Sequence, residues 1–445
     1  MPQAKFFLAA ATLLGTTAFI NAATIFPTSP LIQIGDDTDI FFTTSLSFDV
    51  KDNLYSVAAK KSAALVTFTP GFDLQYAKDS PLSANMKVSQ SFLRYNKSEY
   101  KDLEEGQTNI SVGANYETGG PLTVGVSTSY NESARNDNLA GILGADSGQV
   151  LGATLVRQAN YAHTLNVGYR LSEKLRLSVG FTNSYNHYLN PVKTKTTTAT
   201  SPLGTPGTSF EDIAYNTNTL SEINTKSIPI SINYKTPSEK LEYGLKFQHD
   251  LSNYSAAPYF RTSQKKLPLP VGTVDSVPRP PGQQKFTKNF IGLTVNGKPT
   301  SSGKINITTN LGYFTSDLDG VSDNGLSYNL TFAHNLTEKF THELNLIHDL
   351  SASAAGGSTK NDTIGYTASY ALLEKVALSF HALKSKVVSG TTQVDSLDFN
   401  AGVNWEYNKY IRFAATIDTL DSKVKNSPAS NFKANSINFS TTFRY

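Results

Sequence analysis

The chain contains no cysteine among its 445 residues. A disulfide framework, a thiolate metal centre and a cysteine nucleophile are therefore excluded. Charge is scarce too: Lys, Arg, Asp and Glu make up 17% of the sequence, against roughly 25% in ordinary soluble domains. Basic and acidic residues nearly balance, 39 against 36, with no block of one sign. That balance argues against a nucleic-acid partner. Beyond Ile20 no apolar run approaches the roughly 20 residues a membrane helix needs. No P-loop, dinucleotide fingerprint or Gly-x-Ser-x-Gly elbow is visible. What fills the space is Ser, Thr, Asn, 30 Gly and 22 Tyr.

The N-terminus has its own pattern. Lys5 precedes an apolar and small-residue run from Phe6 to Ile20, and Ala22 offers a small residue before Ala23. This reads as a secretory signal peptide over residues 1–22. Residues 23–38 then form a short N-terminal periplasmic segment, too short to fold by itself. No plug domain is expected ahead of the main body, residues 39–445.

Across that body, stretches of about 10 to 13 residues alternate apolar with small or polar side chains, as in membrane-spanning β-strands. Leu165, Val167 and Tyr169 alternate with Thr164, Asn166 and Gly168; Leu397, Phe399, Ala401, Val403 and Trp405 alternate with Asp398, Asn400, Gly402 and Asn404. About 18 such stretches occur, from 39–50 to 434–445, an even number as closed barrels require. Their connections alternate short and long. Short ones include Ser172-Glu173-Lys174, Ser238-Glu239-Lys240, Thr337-Glu338-Lys339, Glu374-Lys375 and Asn408-Lys409. Long loops fall near 51–63, 131–157, 190–225 and 252–284, with smaller ones near 316–325, 351–362, 387–394 and 421–433. A sheet with one greasy face and no helix to cover it is satisfied by closing on itself with that face toward lipid. The expected fold is all-β: a closed antiparallel transmembrane β-barrel of about 18 strands with no plug domain.

The aromatic residues fall at strand ends. With the N-terminus in the periplasm, Tyr116, Tyr169, Tyr234, Tyr243, Trp405, Tyr407 and Phe413 lie near the periplasmic rim, and Tyr130, Tyr185, Tyr313 and Tyr328 near the outer rim. Such girdles belong at membrane interfaces. The last strand alternates to its end, Phe439, Phe443, Tyr445. Here the sequence resembles Gram-negative outer-membrane β-barrels. That resemblance implies that the three aromatics serve as the signal read by the barrel-assembly machinery. Asp52-Asn53-Leu54-Tyr55 followed by Thr69-Pro70-Gly71-Phe72 also resembles the β-barrel porin 2 type of outer-membrane protein.

Few residues suggest bond chemistry. His163, His187, His249, His334, His342 and His348 share the apolar parity of their strands, as suits interfacial rings. His342 and His348 lie too far apart along one strand to share a metal. The acidic stretch Ser316 to Gly325 fails the EF-hand spacing and reads as a solvated outer loop. No catalytic residue, metal site or cofactor is expected. The loop 131–157 carries Glu132, Arg135, Asp137, Asp146 and Arg157 around an apolar centre. By its position as third outer loop it resembles the constriction loop of general porins, with a surface cap or an oligomer contact as the alternative. Lys87, Arg176, Lys246, Asp250 and Arg412 fall on the lumen parity and are candidate lumen charges. Barrels of 16 to 18 strands leave an aqueous channel. The expectation is an outer-membrane, porin-like channel for passive diffusion of small hydrophilic solutes, and not an enzyme. The alternative is a barrel associated with exopolysaccharide export, or a structural barrel whose loops close the lumen. Expected partners are outer-membrane lipid and lipopolysaccharide, the assembly machinery, a homo-oligomer and small hydrophilic solutes.

Overall fold

The computed structural model describes residues 30–54, 60–77, 80–117, 119–135, 156–189, 195–200, 209–215, 222–238, 240–254, 261–267, 273–275, 285–352, 358–389, 392–425 and 428–445. Residues 1–22, read above as a signal peptide, lie outside them. Period-two alternation becomes eighteen long strands: β1 Thr38–Lys51, β2 Ala63–Tyr76, β3 Leu82–Tyr95, β4 Gln107–Glu117, β5 Leu122–Arg135, β6 Val156–Arg170, β7 Leu175–Tyr188, β8 Ile223–Lys235, β9 Leu241–Tyr254, β10 Lys285–Gly297, β11 Ile305–Leu318, β12 Val321–Asn335, β13 Phe340–Ala352, β14 Ser358–Leu373, β15 Val376–Ser389, β16 Thr392–Glu406, β17 Ile411–Lys425 and β18 Phe432–Arg444. Each pairs antiparallel with its sequence neighbours. The last strand returns to the first, with Thr43 opposite Arg444 and Lys51 opposite Ser436. Phe42 and Tyr445 add a reciprocal pair of backbone hydrogen bonds at 2.6 and 2.9 Å. The sheet is a closed barrel, and closure removes the edge strands that would otherwise expose backbone donors.

The recurring short turn has a physical cause. Ser172 Oγ accepts the backbone N–H groups of Lys174 and Leu175 at 3.3 and 3.1 Å. Thr337 Oγ1 does the same for Lys339 and Phe340, and Asn408 Oδ1 for Tyr410 and Ile411. A hydroxyl or amide at the first turn position thus takes up donors that the ladder cannot. In the segment around Ser238 the residue in this role is Thr236, whose Oγ1 accepts Leu241 N–H at 3.3 Å.

Several expected loops are shorter than the sequence suggests. Residues 316–325 form no loop. Leu318 pairs with Val321, and Asp319 and Gly320, both at positive φ, make a two-residue hairpin turn. That geometry matches the right-handed twist of the flanking strands. β14 begins at Ser358, β15 and β16 meet across Ser389 and Thr392, and β17 runs to Lys425, so these loops also contract. Within the long loops, four short strands at Lys195–Thr200, Ser209–Tyr215, Arg261–Leu267 and Thr273–Asp275 form a second antiparallel sheet. In the N-terminal segment, Ile32–Ile34 folds back on the start of β1, Ile32 opposite Ile40.

The two faces separate as the alternation requires. Leu46, Phe48, Phe72, Val126, Leu165, Ile232, Leu245, Phe247, Ile291, Leu293, Phe399 and Ile417 all stand exposed on the outer face. Along β16 the apolar positions run from Trp405 to Leu397, about 26 Å of strand at 3.3 Å per residue. Such a continuous belt is stable against acyl chains and costly in water. Among the described residues no helix is long and apolar enough to cross a membrane.

Candidate functional site: the barrel lumen

The inner face is built from the other half of each strand. Hydroxyls and amides dominate it and bond one another across strands: Thr69 to Ser91 at 2.9 Å, Thr225 to Ser252 at 2.8 Å, Thr331 to Asn345 at 2.6 Å and Ser385 to Ser396 at 2.6 Å. These groups satisfy each other and leave a polar, nearly neutral lining.

Charges punctuate this lining in groups. Near the short-turn rim, Arg444 Nη2 donates to Asp73 Oδ2 at 3.1 Å, with Lys87 Nζ 3.9 Å from the same oxygen. The Arg444 guanidinium lies 4.3 Å from the centre of the Phe41 ring. Arg412 donates to Glu406 at 2.7 Å, and Arg176 reaches over Gly168 to Thr123 Oγ1 at 2.6 Å. Deeper in, β16, β17 and β1 carry Asp398, Asp418 and Asp49. Asn400 and Ser436 donate to Asp418, and Asn438 donates to Asp49 at 2.5 Å. Half the barrel away, β9 and β10 present Lys246, Asp250 and Lys288. Gln248 donates to both Asp250 oxygens at 2.8 and 3.0 Å.

The wall itself narrows the lumen. Pairing between β12 and β13 stops at Tyr328 and His348, although both strands continue toward the long-loop rim. Above that point β13 keeps only β14, with Leu350 opposite Lys360. Leu350 has the outward parity of its strand, yet it is 1% exposed and packs with Tyr254, Phe286, Phe290 and Phe314. Those four aromatics point inward from β9, β10 and β11. The end of the β13–β14 hairpin has therefore folded inside the wall, against the inner faces of those strands. Lys288 Nζ, reaching from β10, donates to Asp349 Oδ1 at 2.5 Å and to the Leu350 carbonyl at 2.9 Å. The second bond replaces a partner that β12 no longer supplies. Ser327 Oγ adds 2.9 Å to Asp349, and Lys360 spans 2.9 Å to Asp323 across the parted strands. Two facing glycines make the inward packing fit. A Cβ on Gly312 would stand 2.1 Å from the Ile291 carbonyl and 2.6 Å from the Phe290 ring.

The five candidate lumen charges Lys87, Arg176, Lys246, Asp250 and Arg412 all lie on the inner face, in the groupings just described. The candidate constriction residues fall otherwise. Glu132 and Arg157 sit in the wall itself, on the parity of Tyr130 and Tyr161, not in a loop that enters the lumen. Arg157 is 3.7 Å from Glu132, pairs with Glu105 and donates to the Gly106 carbonyl at 2.8 Å. Glu132 accepts the Thr108 N–H at 2.9 Å. The pair braces β5 and β6 against the start of β4. Arg135 closes β5, opposite Val156, and Asp137 and Asp146 lie outside the described residues. Phe439 and Phe443 occupy β18, and the Tyr445 ring rests 5.3 Å from Tyr410. Among the described residues no group of His, Asp and Glu is arranged to hold a metal ion. Strand alternation does not foretell the inward fold of β13–β14. Its one trace in the sequence is the pairing of an acidic Asp349 with an apolar Leu350 at a strand end.

No protein-family model matches the chain, and no curated protein sequence does. Solved structures resemble it in architecture. The outer membrane protein opdK from Pseudomonas aeruginosa is 10% identical, with 92% of this chain and 99% of that one covered and a TM-score of 0.44. OccAB3 of Acinetobacter baumannii is 11% identical over 93% and 100%, with a TM-score of 0.45. OpdQ of Pseudomonas aeruginosa is 8% identical over 92% and 97%, also at 0.45.

Proposed function

We propose that the chain is an outer-membrane channel through which small hydrophilic solutes diffuse down their gradients. The observation that carries this reading is the segregation of faces on a closed eighteen-strand wall: an unbroken apolar belt outside, hydroxyls and amides inside. A barrel of this strand number encloses water. Its lining offers solutes replacement hydrogen bonds for those they hold in bulk water, and its charges, ion-paired near the short-turn rim but gathered as Asp49, Asp398 and Asp418 further in, give it a local negative field. The reading is of a conduit and not an enzyme. The alternative of a structural barrel with a closed lumen draws support from the inward fold at Leu350, which occupies part of the cross-section. Planar-bilayer recording of the refolded chain decides between them. Stepwise ohmic currents are expected; a silent bilayer after verified insertion would sink the channel reading.

A further inference from the structure

The outer face carries a charge asymmetry just beyond its apolar belt. On β15 the outward positions run Leu378, Phe380, Ala382 and then Lys384 and Lys386. On β17 they run Phe413, Ala415, Ile417 and end in Asp421, Lys423 and Lys425. On β18, Phe439 and Ile437 lead to Asn435 and Lys433. The register places these side chains together: Lys386 faces Asp395, Asp395 faces Lys423, and Asp421 faces Lys433. All five lysines are exposed. Among the described residues one of them has a carboxylate within 4 Å, Lys423 at 3.9 Å from Asp421. The neighbouring Asp362 is taken by His348. Five lysines thus stand against Asp395 and Asp421 on a patch about 15 Å wide, three strand spacings, and about 7 Å tall.

The opposite sector is built differently at the same height. There Tyr130, Tyr161 and Tyr185 form a ladder with centroids 4.9 and 6.1 Å apart. Beside the ladder Arg157 is engaged with Glu105 and Glu132, and Glu222 with Tyr185 and His187, and one lysine, Lys226, stands exposed on the adjoining strand. General snorkelling of lysines would place them around the whole rim. Elsewhere near that rim outward, exposed lysines stand singly, at Lys226, Lys285 and Lys360; the clustering of five on β15, β17 and β18, at the edge of the lipid belt, indicates an anionic partner that itself lies in the membrane plane.

We propose that Lys384, Lys386, Lys423, Lys425 and Lys433 form a docking surface for the phosphate-bearing headgroup of an outer-leaflet glycolipid. The acyl chains of that lipid lie along Phe380, Phe399 and Ile417 below, and its phosphates meet the ammonium groups above. Asp395 and Asp421 hold the lysines apart, so that one headgroup meets several at once. The inference rests on the outer-membrane reading but not on conduction.

The test is native mass spectrometry and equilibrium binding of the full refolded chain in mild detergent, with bisphosphorylated lipid A as probe. Retention that weakens with rising salt is expected. The five-fold Lys→Gln variant is expected to bind at least about tenfold more weakly. Lys→Arg at the same positions, and Lys226→Gln with Lys285→Gln in the other sector, should bind as the parent does. The electrophoretic mobility shift of the folded barrel verifies that each variant folds, and bilayer conductance of the same samples tests the channel reading separately. Equal retention of dephosphorylated lipid, unchanged binding by the Gln variant, or displacement by millimolar inorganic phosphate in place of lipid would each overturn the proposal. So would a change of oligomeric state in the Gln variant without loss of lipid.

Discussion

Asp52 shows how a single side chain fastens the closing seam. It follows β1 directly and accepts three hydrogen bonds: Asn435 N–H at 2.6 Å, Asn435 Nδ2 at 2.7 Å and Lys60 Nζ at 3.1 Å. Burial pushes its carboxyl up, but the bonds from Asn435 and Lys60 together outweigh burial and hold it below its ordinary value. A carboxyl depressed in the folded state contributes stability above its unfolded value, and that contribution fades as pH falls through the folded one. The side chain is 39% exposed, so the contribution is screened and amounts to under about 1 kcal/mol. In urea unfolding, Asp52→Asn should lower the midpoint at pH 5, and the gap from the parent should close at a second, more acid pH, below the carboxyl's depressed value. An equal gap at both pH values would assign the loss to packing. At this scale the sequence was informative about faces and silent about partners. Alternation alone puts Lys87, Arg176, Lys246, Asp250 and Arg412 on one face, because parity is a property of the strand. It could not show that Glu132 and Arg157 brace the wall. Their bonds run to Glu105 and Gly106, just ahead of β4, and to Thr108 within it, and parity says nothing of which atoms on a nearby strand a side chain meets.

At the scale of the strand, the long-loop ends separate what was legible from what was not. The Asp- and Gly-rich composition of 316–325 imitates a solvated loop. The chain there nevertheless keeps strand conformation up to Asp319 and Gly320, because a two-residue turn needs only those two residues at positive φ. The departure of β13 from β12 is harder to foresee. Leu350 obeys the lipid-facing parity, and only the bend of the wall turns that face onto Phe290 and Phe314. A bend is a tertiary event with no periodicity of its own. Leu350→Ala should therefore behave as a core truncation and not as a membrane-face change. We expect a loss of about 2–4 kcal/mol in unfolding into lipid vesicles. Releasing the hairpin should also enlarge the opening, so single-channel conductance should rise, further still when Lys288→Ala removes the bonds to Asp349 and Leu350. A variant of normal conductance and normal stability would mean that the inward fold does not narrow the path.

For the whole molecule, the ordering principle is that adjacent residues of one strand lie in different solvents. β16 puts this to a direct test, because Asp398 and Phe399 are neighbours in sequence on opposite sides of the wall. Phe399 is 42% exposed within the belt, so Phe399→Lys would place an ammonium in hydrocarbon. The expected cost is about 2–4 kcal/mol near the midplane, read as a lower urea midpoint for the vesicle-inserted barrel, with ion selectivity unchanged. Asp398 shares the inner face with Asp418 and Asp49 and adds to a negative stretch of lining. Asp398→Asn should leave the unfolding free energy within about 0.5 kcal/mol of the parent, as substitutions away from packed features do. It should instead shift the reversal potential in a salt gradient toward lower cation preference, since permeant ions sense lining charge directly. The two substitutions thus exchange phenotypes across a single peptide bond. If Phe399→Lys altered selectivity while Asp398→Asn destabilised the barrel, the assignment of faces would be inverted. The belt, the lumen and the lipid-docking lysines would then all have to be reassigned together.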